Sequence, residues 1–371
     1  MSSPEQPLFL LRSASRAAEI GVLAQRYGGS PGLGALLADL PRHAHRTLVP
    51  RLVGSRVAAA WGWDAADRRT TQWWPQGITT VSDAVALGER PAGLGDRRIV
   101  VATWYAKEVP GPDGPAKHGV RLSFLDLDAR RYRHVLLVKP VTRDDGEVGF
   151  DPVHAHAGGI VWSGSWLHVA ATGKGFVSAH LDDLVRLPEA PQPGHGDSFG
   201  HRWVLPTRVD HRAGVDKDAA GTDAVPRLRY SFLGLDRTST PPALLVGEYG
   251  RGTATTRLAR FALGPDGLPA GTPDTPRLTR PTTVVDTGVR GMQGIASVDG
   301  ALHATTSHGP WGPGSLYDAA PGADGAAGTL APTRRAMPMG PEDLTWWPES
   351  GRLWTVTEHP RRRWVVALRP S

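Results

Sequence analysis

The feature that most constrains this chain is a phrase that recurs five times after residue 72. Each copy opens with polar residues, continues through Gly-Ile or an equivalent pair, makes a turn and ends in an apolar stretch. The copies are WWPQGITT (73–80) with RIVVATWYAKE (98–108), HAGGIVWSGSWLHVAATGKG (156–175), YSFLGLDRTSTPPALLVGEYGRG (230–252), MQGIASVDGALHATTSHG (292–309) and PEDLTWWPESGRLWTVTEHP (341–360). Alternation such as Leu302-His303-Ala304 is typical of a pleated strand, so each copy predicts two strands joined by a turn.

Further apolar segments follow most copies and predict a third and often a fourth strand. They lie at 119–128, 132–140, 176–184, 201–209, 255–263 and 363–368. Four antiparallel strands repeated around an axis are typical of a β-propeller, so we predict an all-β propeller. The copies are anchored at equivalent positions by Ile78, Ile160, Phe232, Ile295 and Leu344. Their spacing equals or exceeds the roughly 40–50 residues of one blade, which favours five blades. A sixth blade inside one of the two longest intervals is the alternative.

The last copy has room for only three strands, so its blade needs a strand from elsewhere. RLVGSRVAAAW (51–61) precedes the first copy and has strand-forming composition. We predict that it pairs with the C-terminal strand near 364–368 and closes the ring, which removes exposed sheet edges. The 45 Gly and 33 Pro residues agree with many short strands and turns rather than with a helical bundle.

The first 45 residues predict a helical N-terminal arm, and residues 46–371 form the predicted propeller domain. Apolar spacing indicates one helix between Ser13 and Gly28 and a second from Leu33 to Leu40. The apolar run from Leu8 to Leu11 ends at Arg12 and is too short for a secretory signal or a membrane span. We therefore expect a cytoplasmic protein without a membrane partner, or a secreted one if a leader has been removed.

The composition excludes several classes of site and partner. With 0 Cys the chain has no disulfide, thiolate nucleophile or Cys-ligated metal, and its sequence also contains no Asn. The net charge of +6 comes almost wholly from Arg, which agrees with a GC-rich bacterial genome. The basic residues are dispersed without an aromatic-interleaved stripe, so we expect no nucleic-acid partner. We expect a monomer that binds a small-molecule substrate.

The last copy, PEDLTWWPESGRLWTVTEHP with RRRWVVAL after it, resembles a known repeat. It is similar to the blades of the senescence-marker-protein lactonases, the strictosidine-synthase-like enzymes and virginiamycin B lyase. The resemblance covers the inner hairpins, about a third of the chain, and it implies the propeller fold. The lactonases bind their metal with Asn as well as acidic residues. Because this sequence has no Asn, the resemblance implies the fold and not that metal site.

Propeller geometry selects the candidate site residues. The start of each inner strand and the end of each second strand lie on the same face, around the mouth of the central channel. We predict His156, Glu342, His308 and Glu248 as catalytic residues. The residues predicted to bind substrate are Gln76, Gln293, Tyr230, Trp74, Trp104, Tyr249, Glu358 and His359. Such a ring brings donors, acceptors, titratable groups and aromatic faces to one small volume.

The residue types in this ring predict acid–base chemistry. A histidine titrates near neutral pH and a carboxylate can act as its partner, so we assign His156 and Glu342 as acid and base. Gln76 and Gln293 would orient the substrate. The predicted function is a cofactor-independent enzyme for cyclisation, isomerisation, elimination or hydrolysis of a small organic molecule in bacterial natural-product metabolism. The alternative is a non-catalytic, glycan-binding, lectin-like propeller, which would need near-identical pockets in every blade.

We predict that activity requires no tightly bound metal. His154 and His156 alone have ligand-like spacing, and no third ligand is identifiable by spacing. Elemental analysis of protein purified without chelator should therefore find no stoichiometric metal. A stoichiometric metal that disappears in His156→Ala or Glu342→Gln would contradict this prediction.

Overall fold

A computed structural model describes residues 7–370 except 87, 89, 112–113, 190–195, 217–224, 253 and 320–328. Strands dominate this part of the chain, and the predicted all-β propeller class is confirmed. Among the described residues, no helix combines the length and the apolar character needed to cross a membrane.

The segment before the first repeat contains short strands and helices. They are β1 (Leu8–Arg12), α1 (Ala17–Arg26), α2 (Gly32–Ala38), β2 (Arg42–His43), β3 (His45–Arg46), a 3-10 turn (Val49–Leu52), β4 (Val57–Gly62) and α3 (Ala65–Arg69). The two predicted arm helices are therefore present. Ile20 and Leu23 are buried on α1, which packs near the outer strands of the body.

The strands of the body follow in chain order. The first two groups are β5 (Trp73–Thr80), α4 (Val81–Ala84), β6 (Ile99–Ala106), β7 (Val109–Gly111), β8 (Gly114–Ala116), β9 (Val120–Asp126), β10 (Arg131–Thr142), β11 (Val148–Pro152), β12 (Ile160–Ser163), β13 (Trp166–Ala170), β14 (Gly175–His180), a 3-10 turn (Leu181–Asp183), β15 (Val185–Arg186) and β16 (Trp203–Val215). The others are β17 (Phe232–Asp236), β18 (Ala243–Gly247), β19 (Arg257–Ala262), β20 (Leu278–Thr279), β21 (Thr283–Asp286), β22 (Met292–Val298), β23 (Ala301–His308), β24 (Gly312–Asp318), β25 (Ala331–Met339), β26 (Pro341–Trp347), a 3-10 turn (Pro348–Ser350), β27 (Arg352–Thr357) and β28 (Trp364–Leu368).

Antiparallel pairing groups these strands into four-stranded units. The units are β5-β6-β9-β10, β12-β13-β14-β16, β17-β18-β19-β21, β22-β23-β24-β25 and β26-β27-β28-β4. The long strand β16 also pairs in parallel with β10, which merges the first two units into one sheet of 13 strands. The first strand of each unit contacts the first strands of both neighbours, and β26 contacts β5. Five blades remains the count that we predict, and this grouping supports it.

The predicted closure strand is confirmed, although it is shorter than the predicted segment. In β4, Gly62 pairs with Trp364 and Val57 pairs with Leu368 at the C-terminus. Residues 51–52 lie instead in the 3-10 turn that precedes the strand. The last unit is thus built from both ends of the repeat region.

The arm contains a strand that the sequence analysis does not predict. β1 pairs antiparallel with β16 and, at Leu10 and Leu11, also with β20. Leu8 and Leu10 are buried while Leu11 is exposed, so alternate residues of the apolar run form the buried face of this strand. The boundary between arm and propeller at residues 45 and 46 stays a prediction.

Glycines allow the inner strands to approach one another closely. A Cβ on Gly159 would lie 2.1 Å from the backbone nitrogen of Leu233, and one on Gly294 would lie 2.3 Å from that of Leu344. Real Cβ atoms do not approach backbone so closely. These contacts also fix the register, because they make Leu233, and not the predicted anchor Phe232, equivalent to Leu344.

Threonines of two second strands, Thr103 and Thr305, link their units to the next unit. Thr103 on β6 accepts from the backbone N–H of Gly77 at 2.6 Å and donates to the carbonyl of Ala157 at 2.7 Å. Thr305 on β23 donates to the carbonyl of Glu342 at 2.6 Å. Both hydroxyls are buried, so they satisfy backbone groups that water does not reach.

The short helix α4 lies across one end of the channel, where it contacts β5, β12 and β26. Asp83 on this helix accepts hydrogen bonds from Thr79 at 2.8 Å and from Thr345 at 2.5 Å. Arg237 forms an ion pair with the same carboxylate and donates to Ser82 Oγ at 2.9 Å. These bonds fasten α4 to the inner strands of three units.

We expect Gly159→Ala to destabilise the protein strongly. The new methyl group must displace the backbone of the neighbouring inner strand, and overpacking of this kind costs about 1–3 kcal/mol or more. The control is Gly173→Ala, where a Cβ meets nothing within 4 Å. Denaturant unfolding should show a large loss for Gly159→Ala and little change for the control, and equal stability of the two variants would contradict the proposed close approach.

Candidate functional site

A cavity of about 490 Å³ opens at the end of the channel opposite α4. Seven of the predicted site residues line it together. They are Gln76, His156, Glu248, Tyr249, Gln293, Glu342 and Glu358. These residues come from every unit, so the fold brings together side chains that are far apart in the sequence.

A pair of carboxyl groups forms part of the cavity lining. Glu342 opens β26, Glu358 follows β27, and their side chains are hydrogen-bonded to each other. Burial, the negative charges of Glu358 and Asp343, and this hydrogen bond raise the pKa of Glu342 well above its ordinary value. Two carboxyls in such contact cannot both ionise readily. Glu342 therefore keeps its proton and donates a hydrogen bond to Glu358.

Neighbouring groups favour the ionised form of Glu358. Gln76 Nε2 donates to Glu358 Oε2 at 3.2 Å, and the positive charges of Lys107 and Arg363 lie nearby. Burial nevertheless outweighs these effects, and the pKa of Glu358 is raised. The pair therefore shares a proton over a range of pH that reaches above the ordinary titration of a glutamate.

Tyr105 and His156 lie beside the carboxyl pair. Their ring centroids are 4.7 Å apart. Burial, together with the charges of Glu358 and Glu342, raises the pKa of Tyr105 to about 12, so its hydroxyl keeps its proton at neutral pH. Burial lowers the pKa of His156, so its imidazole is neutral there. The site thus combines a neutral donor and a neutral base with the carboxyl pair.

Asp343 lies next to Glu342 but faces the channel axis. Its Oδ2 accepts from the backbone N–H of Ile78 at 3.1 Å and from that of Ile160 at 3.2 Å. Its side chain is completely buried, and burial raises its pKa although these hydrogen bonds act in the opposite direction. Asp343 is therefore a structural link between inner strands.

Glu248 lies in the cavity wall as predicted, but its oxygens are already occupied. Both accept from Arg257, one also accepts from Thr255, and the other accepts from the backbone of Arg229 at 2.9 Å. Burial opposes ionisation, but these hydrogen bonds prevail and hold the pKa of Glu248 below its ordinary value. A carboxylate held in this way positions the wall and is poorly suited to proton transfer.

Tyr230 does not reach the cavity. Its side chain is 1% exposed and packs against Phe176 and Phe261 in the core. The cause is the register of the third inner strand, where the anchor is Leu233. A shift of one residue exchanges the two faces of a strand, so Ser231 lines the cavity in place of Tyr230.

Trp104 is also placed in the core rather than at the cavity. It lies within β6, which extends to Ala106, and not at the end of the strand as predicted. Its ring is fully buried, edge to face with Trp63 at 5.1 Å and beneath the Arg121 guanidinium.

The other predicted residues surround the cavity without lining it. His359 lies behind the carboxyl pair, with its Nε2 3.6 Å from Glu358 Oε1. Trp74 packs edge to face with His359 and carries the Lys107 ammonium 3.4 Å above its ring. His308 ends β23 and lies 2.9 Å from Ser315 Oγ, away from the cavity wall.

The cavity also has residues that the sequence prediction omits. Arg229 and Arg251 line it with exposed side chains, and no acidic partner is found for them among the described residues. The sequence of the third repeat could have predicted Arg229, because the correct register places Arg229 and Ser231 on one face of the strand. These arginines give the cavity a cationic side that faces a carboxyl-rich side.

The residues at the cavity do not fit a metal site of the lactonase kind. Glu342 and Glu358 bind each other, and Glu248 is bound by Arg257. His154 and His156 line different cavities. Within the described part of the chain, no three His, Asp or Glu side chains are grouped so that they could hold a metal ion.

Comparisons with known proteins give likeness in fold only. No protein-family profile and no curated protein matches the chain. Among solved structures, the β-propeller domain of Cps50 (Swd1) from Myceliophteria thermophila is 10% identical, with a TM-score of 0.37 over 84% of this chain and 99% of that one. A luciferin-regenerating enzyme is 12% identical, with a TM-score of 0.33 over 81% and 76%. Myxococcus xanthus glutaminyl cyclase is 10% identical, with a TM-score of 0.29 over 88% and 97%.

The raised pKa of Glu342 predicts how stability depends on pH. The native state keeps a proton that the unfolded chain loses near the ordinary value of 4.5, so stability is greatest below that pH and falls as pH rises toward the native pKa. The slope from one such group is about 1.4 kcal/mol per pH unit. Glu342→Gln, which imitates the protonated form, should remove this slope and be more stable than the wild type at about pH 8.

Denaturant unfolding at about pH 5 and about pH 8 measures this difference. Glu349→Gln is the matched control, because Glu349 is exposed and should leave the slope unchanged. If wild type and Glu342→Gln lose stability in parallel, Glu342 is ionised in the native protein.

Proposed function

We propose that this protein is a cofactor-independent β-propeller enzyme that performs acid–base chemistry on a small organic molecule. The observation that carries the proposal is the hydrogen-bonded pair of Glu342 and Glu358 in the lining of an open cavity. Perturbed carboxyl groups in a cleft are the typical means by which proteins obtain an acid and a base near neutral pH.

The pair provides both halves of a proton exchange. Glu358, the ionised member, takes a proton from the substrate, and Glu342, the protonated member, returns one to another substrate atom. The hydrogen bond between them lets the proton pass across and restores the starting state. Because one proton leaves and one returns, isomerisation and cyclisation need no co-reactant, while hydrolysis and elimination would use the same groups with water as reactant or product.

The surrounding residues have supporting roles in this proposal. Gln76 holds Glu358 through its hydrogen bond, and Gln293 faces the same volume from a different unit. Neutral His156, next to Tyr105, provides a second proton acceptor at the mouth. Natural-product metabolism in a bacterium is the setting that we propose.

The asymmetry of the inner ring favours one reaction site over repeated binding pockets. The equivalent positions in the five units carry Gln76, Gly158, Ser231, Gln293 and Glu342. A lectin-like propeller needs similar pockets in each blade, and these five side chains differ in size, charge and hydrogen bonding. A single central site agrees with such differences.

We expect Glu342→Gln and Glu358→Gln each to reduce kcat by about 10²–10⁴-fold, because each removes a positioned acid or base. His156→Ala should reduce kcat as well, because it removes the second proton acceptor at the mouth. The measurement begins with a panel of lactones, enolisable acids and cyclisable small molecules incubated with wild type and followed by mass spectrometry. Kinetics on the substrate found then compare the variants.

Glu349→Gln, an exposed substitution of the same chemistry, is the control for this series. Thermal midpoints separate loss of activity from loss of fold. If Glu342→Gln and Glu358→Gln remain folded and retain full kcat, the carboxyl pair is structural and the acid–base proposal is wrong.

A further inference from the structure

A second cavity, of about 570 Å³, lies beside the cavity described above, between the outer strands of the first two units. The two are called the lateral cavity and the central cavity. A thin wall separates the two cavities. His154 and Lys174 line the lateral cavity, whereas His156 and Thr172 line the central one. The lateral cavity has no part in the chemistry proposed above.

The charges around the lateral cavity are predominantly positive. Its acidic residues are already paired: Asp210 binds Lys139 at 3.2 Å and also Arg16, and Asp151 binds Arg143 at 2.6 Å.

Three further cations, Lys174, Arg212 and Arg227, are exposed at its edge. No acidic side chain in the described ranges pairs with any of them. An anion entering this cavity would therefore meet free cationic donors.

One buried polar atom on the lining lacks a hydrogen-bond partner among the described residues. Thr207 is 0% exposed, and no described residue bonds its Oγ1. Buried polar groups are nearly always paired, so an unpaired hydroxyl on a cavity lining points to a ligand that supplies the bond. Val153, Ala155 and Val177 add apolar surface to the same lining.

We propose that the lateral cavity is a second binding site, for a small organic anion with an apolar body. Its carboxylate or phosphate group binds Lys174, Arg212 and Arg227. The apolar body lies against Val153 and Val177, and a polar atom of the ligand bonds Thr207. The site is independent of the acid–base chemistry proposed for the central cavity.

Calorimetric titration with phenyl phosphate, benzoate and inorganic phosphate tests this proposal. Phenyl phosphate or benzoate should bind with a stoichiometry of about one and more tightly than inorganic phosphate, which has no apolar body. The tighter of the two ring-bearing probes identifies the preferred charged group. Failure of both to bind saturably would overturn the proposal.

Variants then locate the site. Arg212→Met with Arg227→Met should weaken binding by about tenfold or more, because charge-assisted hydrogen bonds are lost. Both side chains are exposed, so this double variant should fold normally. Thr207→Val keeps the shape of the cavity and should weaken binding as well.

Two controls complete the test. Arg334→Met removes an exposed arginine in a remote unit and should leave binding unchanged. Arg229→Met with Arg251→Met removes the cations of the central cavity and should also leave it unchanged. If binding is lost in this last variant and kept in the Arg212 and Arg227 variant, the anion occupies the central cavity and the proposal is wrong.

Discussion

The structure depends on the close contact of backbone between inner strands around the channel axis. Gly159 and Gly294 permit this contact because any side chain there would overlap the neighbouring strand. The carboxylate of Asp343 then accepts N–H groups from two other units, which leaves few polar backbone groups unsatisfied at the centre. Sterics and hydrogen bonding thus impose the same arrangement at the axis.

This tight axis also determines the electrostatics of the cavity above it. Glu342 immediately precedes Asp343 and is carried into a water-poor position by the same strand. Glu358 comes from the adjoining strand end and meets it there. Carboxyls in such a place are costly to ionise, so the packing that closes the ring also produces the proton-sharing pair.

Repeats, turns and the missing strand made the architecture predictable, since strand alternation and closure follow from short-range patterns. The site was predictable to the extent that the starts of the inner strands converge. This geometry placed Gln76, Gln293 and Glu342 together, and the three residues do line one cavity. The prediction that Tyr230 lines the site was wrong because alternation alone does not fix the register of a strand. The register depends on contacts with neighbouring units. Glu248 could be located but its role could not, because Arg257 reaches it only in the folded sheet. The role proposed for Glu358 likewise depends on contacts with Glu342 and Gln76 that form only in the folded sheet.

Within the described residues, α4 covers the channel end opposite the cavity, where Asp83 and Arg237 fasten it. A molecule that enters the cavity past His156 therefore leaves it on the same side. Entry and exit therefore compete, and a second molecule cannot follow until the first has departed. A long polymer is therefore not threaded past α4 through the channel.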